Sequence, residues 1–405
     1  MAFQLTYEQL LTDLRQAYLD ARRHKRRKPY QLHFEAHAEE NLRRLRDELW
    51  QRRYQPLPST CFIISDPKRR EVFAAQFRDR IVHHLYYNYV HEMLERTFIS
   101  DSYSCIRHRG THYGIARLEH HIRQESLNYT RPCYILKMDV RGYFMHIDRQ
   151  RLLEITLRQL RRMASHKLGA LADTPAPGGA KWRDVVDMAF VEWLSRVIIL
   201  QDPALSCRRR GTLLDWQGLP PSKSLFHSPP GCGLPIGNLT SQLFSNVYLN
   251  ELDQWMKREK GCRHYGRYVD DFYVVSADRG LLLSLRPQVA EFLKERLSLE
   301  VCQNKTVIRD VRQGVGFLGA FLKPRRRYVS NATLRRMECK VPHIADERTP
   351  WRLCSSLNSF LGLLSHYRCY HERCRLFLPL RPAWHYGYFL GGVCKYVLKP
   401  GYRQF

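Results

Sequence analysis

Two adjacent carboxylates, Asp270 and Asp271, sit in the run Tyr268-Val269-Asp270-Asp271 among apolar and aromatic neighbours. Like charges this close raise each other's pKa unless a cation neutralises them. A third carboxylate, Asp139, closes the short apolar run Ile135-Leu136-Lys137-Met138-Asp139-Val140. Three carboxylates carried by two strand ends can hold two divalent cations about 3.5–4 Å apart, the arrangement for in-line phosphoryl chemistry. Mg²⁺ suits such a set, since it prefers a few carboxylates plus substrate phosphates to a protein cage; Mn²⁺ is a possible substitute. An Asp-Asp pair alone is ordinary in a surface turn. The setting of Asp139 is what gives this pair a chemical reading.

The elements that must position these acids are legible locally. Tyr265, Phe272, Tyr273, Val274 and Val275 are β-favouring and predict a hairpin with the acidic pair at its tip. The run ending at Asp139 predicts a buried strand. Further upstream, Cys61–Ile64 and Glu71–Ala75 predict two strands, joined by Asp66-Pro67 and Lys68-Arg69-Arg70, before a helix that begins near Phe77. A basic hairpin of this kind suits a triphosphate, because Arg binds phosphate oxygens bidentately and stays charged. Gly233–Gln242 predicts a Gly-rich loop that lets backbone approach a nucleotide closely, followed by a helix to about Lys257 with Leu243 and Val247 inward.

Composition narrows the partner. The chain has 405 residues and a formal charge of +27, Arg-rich and spread along its length. That excess predicts a phosphate-rich partner. No stretch of about 18 apolar residues suggests a membrane partner, and no secretory leader is evident in the first twenty residues. Twelve cysteines without scaffold spacing predict reduced thiols and a cytoplasmic protein. Cys369, His371 and Cys374 fit no common zinc spacing.

Several stretches carry less chemistry. Residues 6–19 predict a helix opened by a Thr6/Gln9 capping box. The run Arg22–Lys28 is either a solvated helix end or a phosphate contact. A second helix is predicted over 36–53. Gly169–Gly179 predicts a flexible loop, Val185–Leu200 an apolar helix, Arg208–Gly211 a basic stretch, and Pro220–Pro230 a proline-punctuated loop. From about 330 onward the pattern predicts helices, with Leu357, Phe360, Leu361 and Leu364 on one stripe. Lys323-Pro324-Arg325-Arg326-Arg327 suits duplex phosphates.

Taken in order, these motifs resemble those of reverse transcriptases. Asp139 and Tyr-Val-Asp-Asp at 268–271 resemble motifs A and C. Ser102–His112 and the helix predicted at 113–125 resemble the segment before motif A. Gly233–Gln242 resembles motif B, Gln303-Asn304-Lys305-Thr306 motif D, and Gly316-Phe317-Leu318-Gly319 the primer grip, motif E. The spacing from Arg70 to Asp79-Arg80 resembles group II intron-type enzymes. Motif B ends in Ser241-Gln242, where the familiar form has Ser-Pro; Gly-Asn-Leu-Thr-Ser-Gln is similar to diversity-generating retroelement enzymes and related bacterial groups. Leu357–Gly362 with His366 also resembles the C-terminal part of the diversity-generating group.

The resemblance implies roles. Asp139 and Asp270 would be the principal metal ligands, with Asp271 secondary and Val140 giving its backbone carbonyl. Arg70 would contact the incoming triphosphate, assisted by Lys68 or Arg69. Phe144, five residues after Asp139, would lie under the sugar where a 2′-OH would clash; core packing is the alternative. Gln242 would lie against the template base and relax fidelity, or merely pack the helix start. Lys305 would protonate the leaving pyrophosphate, a role that suits a residue whose pKa shifts readily. Phe317, Leu318 and Gly319 would grip the primer.

The implied fold is α+β, a right-hand polymerase with fingers, a palm of antiparallel sheet backed by helices, and a helical thumb. Its divisions would be a basic helical extension (1–60), fingers (61–132), a palm (133–322) with an insertion at about 163–232, and a thumb with a C-terminal extension (323–405). The implied function is an RNA-directed DNA polymerase, a nucleotidyltransferase using two Mg²⁺ ions, that makes error-prone cDNA for a diversity-generating retroelement. Its partners would be a template RNA, primer and cDNA product, dNTPs and a small basic accessory protein. The alternatives are a phage-defence or other bacterial reverse transcriptase, or a non-catalytic RNA-binding protein on a polymerase fold.

Overall fold

The computed structural model describes residues 4–23, 28–66, 68–164, 186–345 and 349–402. The Gly169–Gly179 stretch, Pro67 and the centre of the Arg22–Lys28 run lie outside them. The fold is mixed α/β, rich in helix, with several small sheets. The chain divides into two compact units. The first comprises Met1–His108, Met138–Phe272 and Leu285–Thr306; the second comprises Arg109–Lys137, Tyr273–Ser284 and Val307–Phe405.

In the first unit, the helix Tyr7–Arg22 starts where the Thr6 hydroxyl accepts from the Gln9 N–H at 3.2 Å. The capping box is only half formed, because the Gln9 amide turns to Asp13 at 2.7 Å. Leu10, Leu11, Leu14, Ala17 and Ala21 share its buried face, which packs on Phe77–Glu95 and Ala38–Trp50. The helix predicted over 36–53 is Ala38–Trp50, preceded by the short Pro29–Glu35, whose proline takes a first-turn place where its missing N–H is harmless. The apolar helix begins at Met188, because Asp187 caps it by accepting from the Phe190 N–H at 2.9 Å.

Strands Ser59–Ile64 and Arg70–Ala74 pair antiparallel, with Cys61 opposite Phe73. A third strand, Cys207–Arg209, runs parallel to the other edge of Ser59–Ile64. It takes in Arg208 and Arg209, which read from sequence only as basic residues. Three residues are too few to show a period, so only its pairing partner makes it a strand.

In the second unit, Tyr134–Lys137 pairs antiparallel with Val307–Asp310. The strands Val315–Phe317, Ala320–Lys323 and Arg326–Val329 form an antiparallel meander. Helices Asn331–Ala345, Pro350–Leu364, Tyr370–Phe377 and Arg381–Tyr386 follow. Leu353, Leu357, Leu361 and Leu364 line the buried face of Pro350–Leu364, and Phe360 is only partly covered. The C-terminal part is not all helical. Gly387–Leu390 and Lys395–Leu398 form a hairpin rich in β-favouring Tyr, Phe and Val. Asn358 docks it, giving its amide to the Tyr396 carbonyl at 2.8 Å and accepting the Tyr396 N–H at 2.9 Å.

All twelve cysteines are unpaired. Among the described residues no helix is long and apolar enough to cross a membrane.

Candidate active site

The three carboxylates belong to the first unit. Strands Tyr265–Tyr268 and Asp271–Ser276 meet through a two-residue turn, Val269-Asp270. Val269 has φ +55°, a left-handed conformation that a β-branched residue adopts only under compulsion. Two bonds hold it there. Its N–H donates to the Ser104 hydroxyl at 3.2 Å, and its carbonyl accepts from Arg267 Nη1 at 2.9 Å. The neighbouring Asp270 carbonyl accepts the Val140 N–H at 3.2 Å, and the Asp139 carbonyl accepts the Cys302 N–H at 2.7 Å. Main-chain bonds therefore stitch the strand end bearing Asp139 to the turn bearing Asp270 and to the segment before Lys305.

Beneath the turn lies an ion pair that sequence reading missed. Arg267 donates through Nε at 2.8 Å and Nη2 at 2.6 Å to the two oxygens of Asp253, and both side chains are fully buried. Tyr265 adds its hydroxyl to Asp253 Oδ1 at 2.6 Å. Arg267 Nη1 also reaches Asn246 Oδ1 at 3.2 Å, and Asn246 gives its amide to the Ser104 carbonyl at 2.8 Å. The same guanidinium thus neutralises a buried acid and anchors the Val269 carbonyl. The available signal is a pair of opposite charges in two segments with apolar and aromatic neighbours: the strand before the turn and the helix after the Gly-rich loop.

The acids repel one another. Asp270 is raised to about 6, first by burial and then by the Asp139 charge, with Asp271 adding to it; its own backbone N–H and Lys305 pull the other way. Lys305 Nζ lies 2.8 and 2.7 Å from the two oxygens of Asp139. Burial works against the Lys305 charge, but the bond to Asp139 and the Asp139 and Asp270 charges hold its pKa above the usual value. An ammonium therefore already sits where positive charge relieves the carboxylates. Hard oxygen donors under mutual repulsion are the donor set Mg²⁺ prefers. Among the described residues, however, no three His, Cys, Asp or Glu side chains converge as a ready-made metal cage. Mg²⁺ binding at one or two carboxylates completed by substrate phosphates fits this arrangement, provided that Lys305 releases Asp139.

The remaining candidates of this unit are placed as follows. Val140 is buried, its N–H spent on Asp270. Lys68, Arg69 and Arg70 are exposed. Arg70 opens its strand opposite Ile64, while Arg69 reaches the Gln217 carbonyl. Between this basic edge and the core, Glu71 is completely buried. It accepts from Trp216 Nε1 at 2.7 Å, Ser224 Oγ at 3.1 Å and the Leu225 N–H at 2.6 Å, fastening the 216–225 stretch to the hairpin. Gly237 has φ +127°, and a Cβ there would sit 2.8 Å from the Phe73 carbonyl oxygen; only glycine lets this loop lie on the hairpin.

Phe144 is partly exposed and packs against the cluster of Cys61, Phe73, Met145 and Leu225, beside Ile236. Its carbonyl accepts the Leu234 N–H at 2.7 Å. It joins the strand hairpin, the Gly-rich loop and the segment after Asp139. Gln242 lies inside the first turn of Leu239–Gln254, capped at Asn238, with its side chain exposed. It is a helical position rather than a loop position, so no added loop flexibility follows from Gln in place of Pro.

Phe317, Leu318 and Gly319 belong to the second unit. Phe317 is buried, edge-on to Tyr273 at 5.2 Å between ring centroids. Leu318 at φ +49° and Gly319 at φ +84° form the turn between two meander strands, with Gly319 exposed.

No protein-family model matches the chain. Protein YkfC of Escherichia coli strain K12 is 24% identical over 322 residues, covering 71% of this chain and 72% of that protein. Among solved structures, apo telomerase of Candida tropicalis truncated from its C-terminal domain aligns with TM-score 0.45 and 12% identity, over 67% of this chain and 54% of that one. Apo telomerase of Candida tropicalis gives 0.47 and 11%, over 81% and 59%. Telomerase of Candida albicans, solved with a fragment of telomeric RNA, gives 0.43 and 11%, over 80% and 57%. The chain spans a little over half the length of these telomerase chains.

Proposed function

We propose that the protein is an RNA-directed DNA polymerase of the reverse transcriptase type, with fingers, palm and thumb, serving a diversity-generating retroelement. The observation that carries this reading is the stitching of Asp139 to the Asp270 turn, with a carboxyl raised to about 6 and an ammonium lodged among the acids. Asp139, Asp270 and Asp271 would hold two Mg²⁺ ions, which when bound activate a primer 3′-hydroxyl and neutralise the leaving pyrophosphate. Arg70, with Lys68 or Arg69, binds triphosphate oxygens from the exposed hairpin edge. Lys305 leaves Asp139 and gives a proton from Nζ to the leaving group. The Phe317-Leu318-Gly319 turn supports the primer strand. Template RNA and cDNA are the partners that the positive charge suits; a small basic accessory protein is a further partner, which rests on the resemblance alone.

The test is extension of a DNA primer annealed to an RNA template by the purified protein with dNTPs and Mg²⁺. Template-length cDNA, lost in Asp139→Asn, is expected. No product on any annealed RNA template, in Mg²⁺ or Mn²⁺, would reject the activity.

Phe144 provides a second test. Its ring packs on the Cys61, Phe73, Met145 and Leu225 cluster and its carbonyl accepts from the Gly-rich loop at Leu234, beside where the sugar of an incoming nucleotide would rest. Phe144→Ala should reduce discrimination against ribonucleotides by at least roughly 10- to 200-fold, the range for a single methylene's difference in pocket fit. Selectivity equal to the parent's, with cDNA synthesis intact, would make Phe144 a packing residue only.

A further inference from the structure

The second unit holds a cavity of about 410 Å³, lined by the end of the meander, the start of Asn331–Ala345 and the start of Tyr370–Phe377. This lies within the size range of small-ligand pockets. Its walls are of two kinds. Phe321, Val329 and Leu334, with the ring of Tyr328, make an apolar side; Lys323 and Arg368 bring exposed cations, and Glu372 one carboxylate. Phe321 is fixed by Gly314, where a Cβ would fall 2.4 Å from the ring's Cζ. An apolar aromatic wall facing two cations is complementary to a planar base carrying a phosphate.

The surrounding chain has the same character. From Thr349 to Tyr402 there are seven Lys and Arg against one acid, and that acid is Glu372. Trp351, Tyr370, Trp384, Tyr388 and Tyr402 expose their rings in the same segment. Cations interleaved with exposed aromatic rings are how proteins hold single strands, because every base offers a face to stack on. In a duplex, stacking and pairing keep bases out of such a pocket; an unpaired strand can insert one.

We infer that this cavity is a nucleotide subsite for a single-stranded nucleic acid: one base lies against Phe321 and Tyr328, its phosphate meets Lys323 and Arg368, and Glu372 accepts from a base amino group. None of the three Asp takes part, so the inference stands apart from the polymerase reading.

The test uses the full-length protein in EDTA, where no polymerisation occurs, and a fluorescein-labelled oligoadenylate of about six nucleotides, within the site sizes of single-strand binders. The double variant Lys323→Gln/Arg368→Gln should bind at least about tenfold more weakly, with the salt slope reduced by about 0.7, the contribution of one single-strand phosphate. Leu334→Trp, which puts an indole into the apolar side of the cavity, should weaken binding while leaving that slope unchanged. Arg381→Gln/Lys395→Gln carries the same charge change outside the cavity and should bind nearly as the parent does. Displacement of the oligomer by millimolar AMP would make free nucleotides ligands too; no displacement would restrict the site to strands; both support a nucleotide subsite. Parent-like binding by the Lys323/Arg368 variant would overturn the inference, as would a blunt duplex that binds equally well and responds equally to the substitutions. Should Leu334→Trp fail to fold, the Gln substitutions, at exposed positions, still decide.

Discussion

Asp270→Asn should leave a protein that makes no cDNA yet melts higher than the parent at neutral pH in EDTA. The activity loss should be at least about 100- to 1,000-fold, the scale of removing one group aimed at developing charge. The stability gain follows from the raised carboxyl. In the folded chain Asp270 takes up its proton near 6, against 3.8 ordinarily. Between those values the folded state binds the extra proton. Folding is therefore favoured in acid and loses that advantage as pH rises through about 6. Above that, the ionised side chain opposes folding by up to about 3 kcal/mol, at 1.36 kcal/mol per pKa unit. Asparagine removes the charge and keeps the shape. The gain should be largest at pH 7–8, reach several degrees at about 2–4 °C per kcal/mol, and vanish near pH 4. Saturating Mg²⁺ should stabilise the parent by mass action and close the gap. Thermal melts of both proteins from pH 4 to 8, with and without Mg²⁺, provide the measurement. A variant no more stable than the parent at pH 7–8, or one that still extends primers, contradicts this account of the site.

Breaking the pair beneath the turn should have the largest effect on the fold. Asp253→Ala strips the partner from a fully buried guanidinium, and Arg267→Met does the reverse to a buried carboxylate. Each should destabilise the protein by about 3–5 kcal/mol, because the remaining charge is left uncompensated in the interior. Replacing both, as Arg267→Met/Asp253→Leu, should recover most of that loss, since apolar side chains of similar volume often substitute for a buried pair without penalty. Activity should not recover with it. The Val269 carbonyl loses its Arg267 donor in the double variant, and the strained turn that presents Asp270 loses one of its two restraints. Urea titration and primer extension on the three variants separate the effects. Single variants within about 1 kcal/mol of the parent, or a fully active double variant, would show that the pair does not hold the turn.

What the sequence by itself determined is local. The apolar run at 134–140 and the β-favouring residues around 265–276 place strands with acids at their ends, because residue shape acts within a few positions. The basic hairpin at 59–74 and the helix after the Gly-rich loop are legible for the same reason. So is the charge, which is a sum over residues. Helix edges shift by a few residues where a cap decides them, as Asp187 does. Other features required the tertiary structure. Glu71 reads as one more strand residue until Trp216, Ser224 and Leu225 close around it. Cys207–Arg209 becomes a strand only beside Ser59–Ile64. Arg267 has no visible partner until Asp253 meets it without water, and the Lys305 motif does not reveal that both oxygens of Asp139 hold the ammonium. In each case the partner lies far along the chain or the energy depends on excluding water. A residue type fixes what a side chain can bond; only the packed fold decides which partner it meets and in what dielectric.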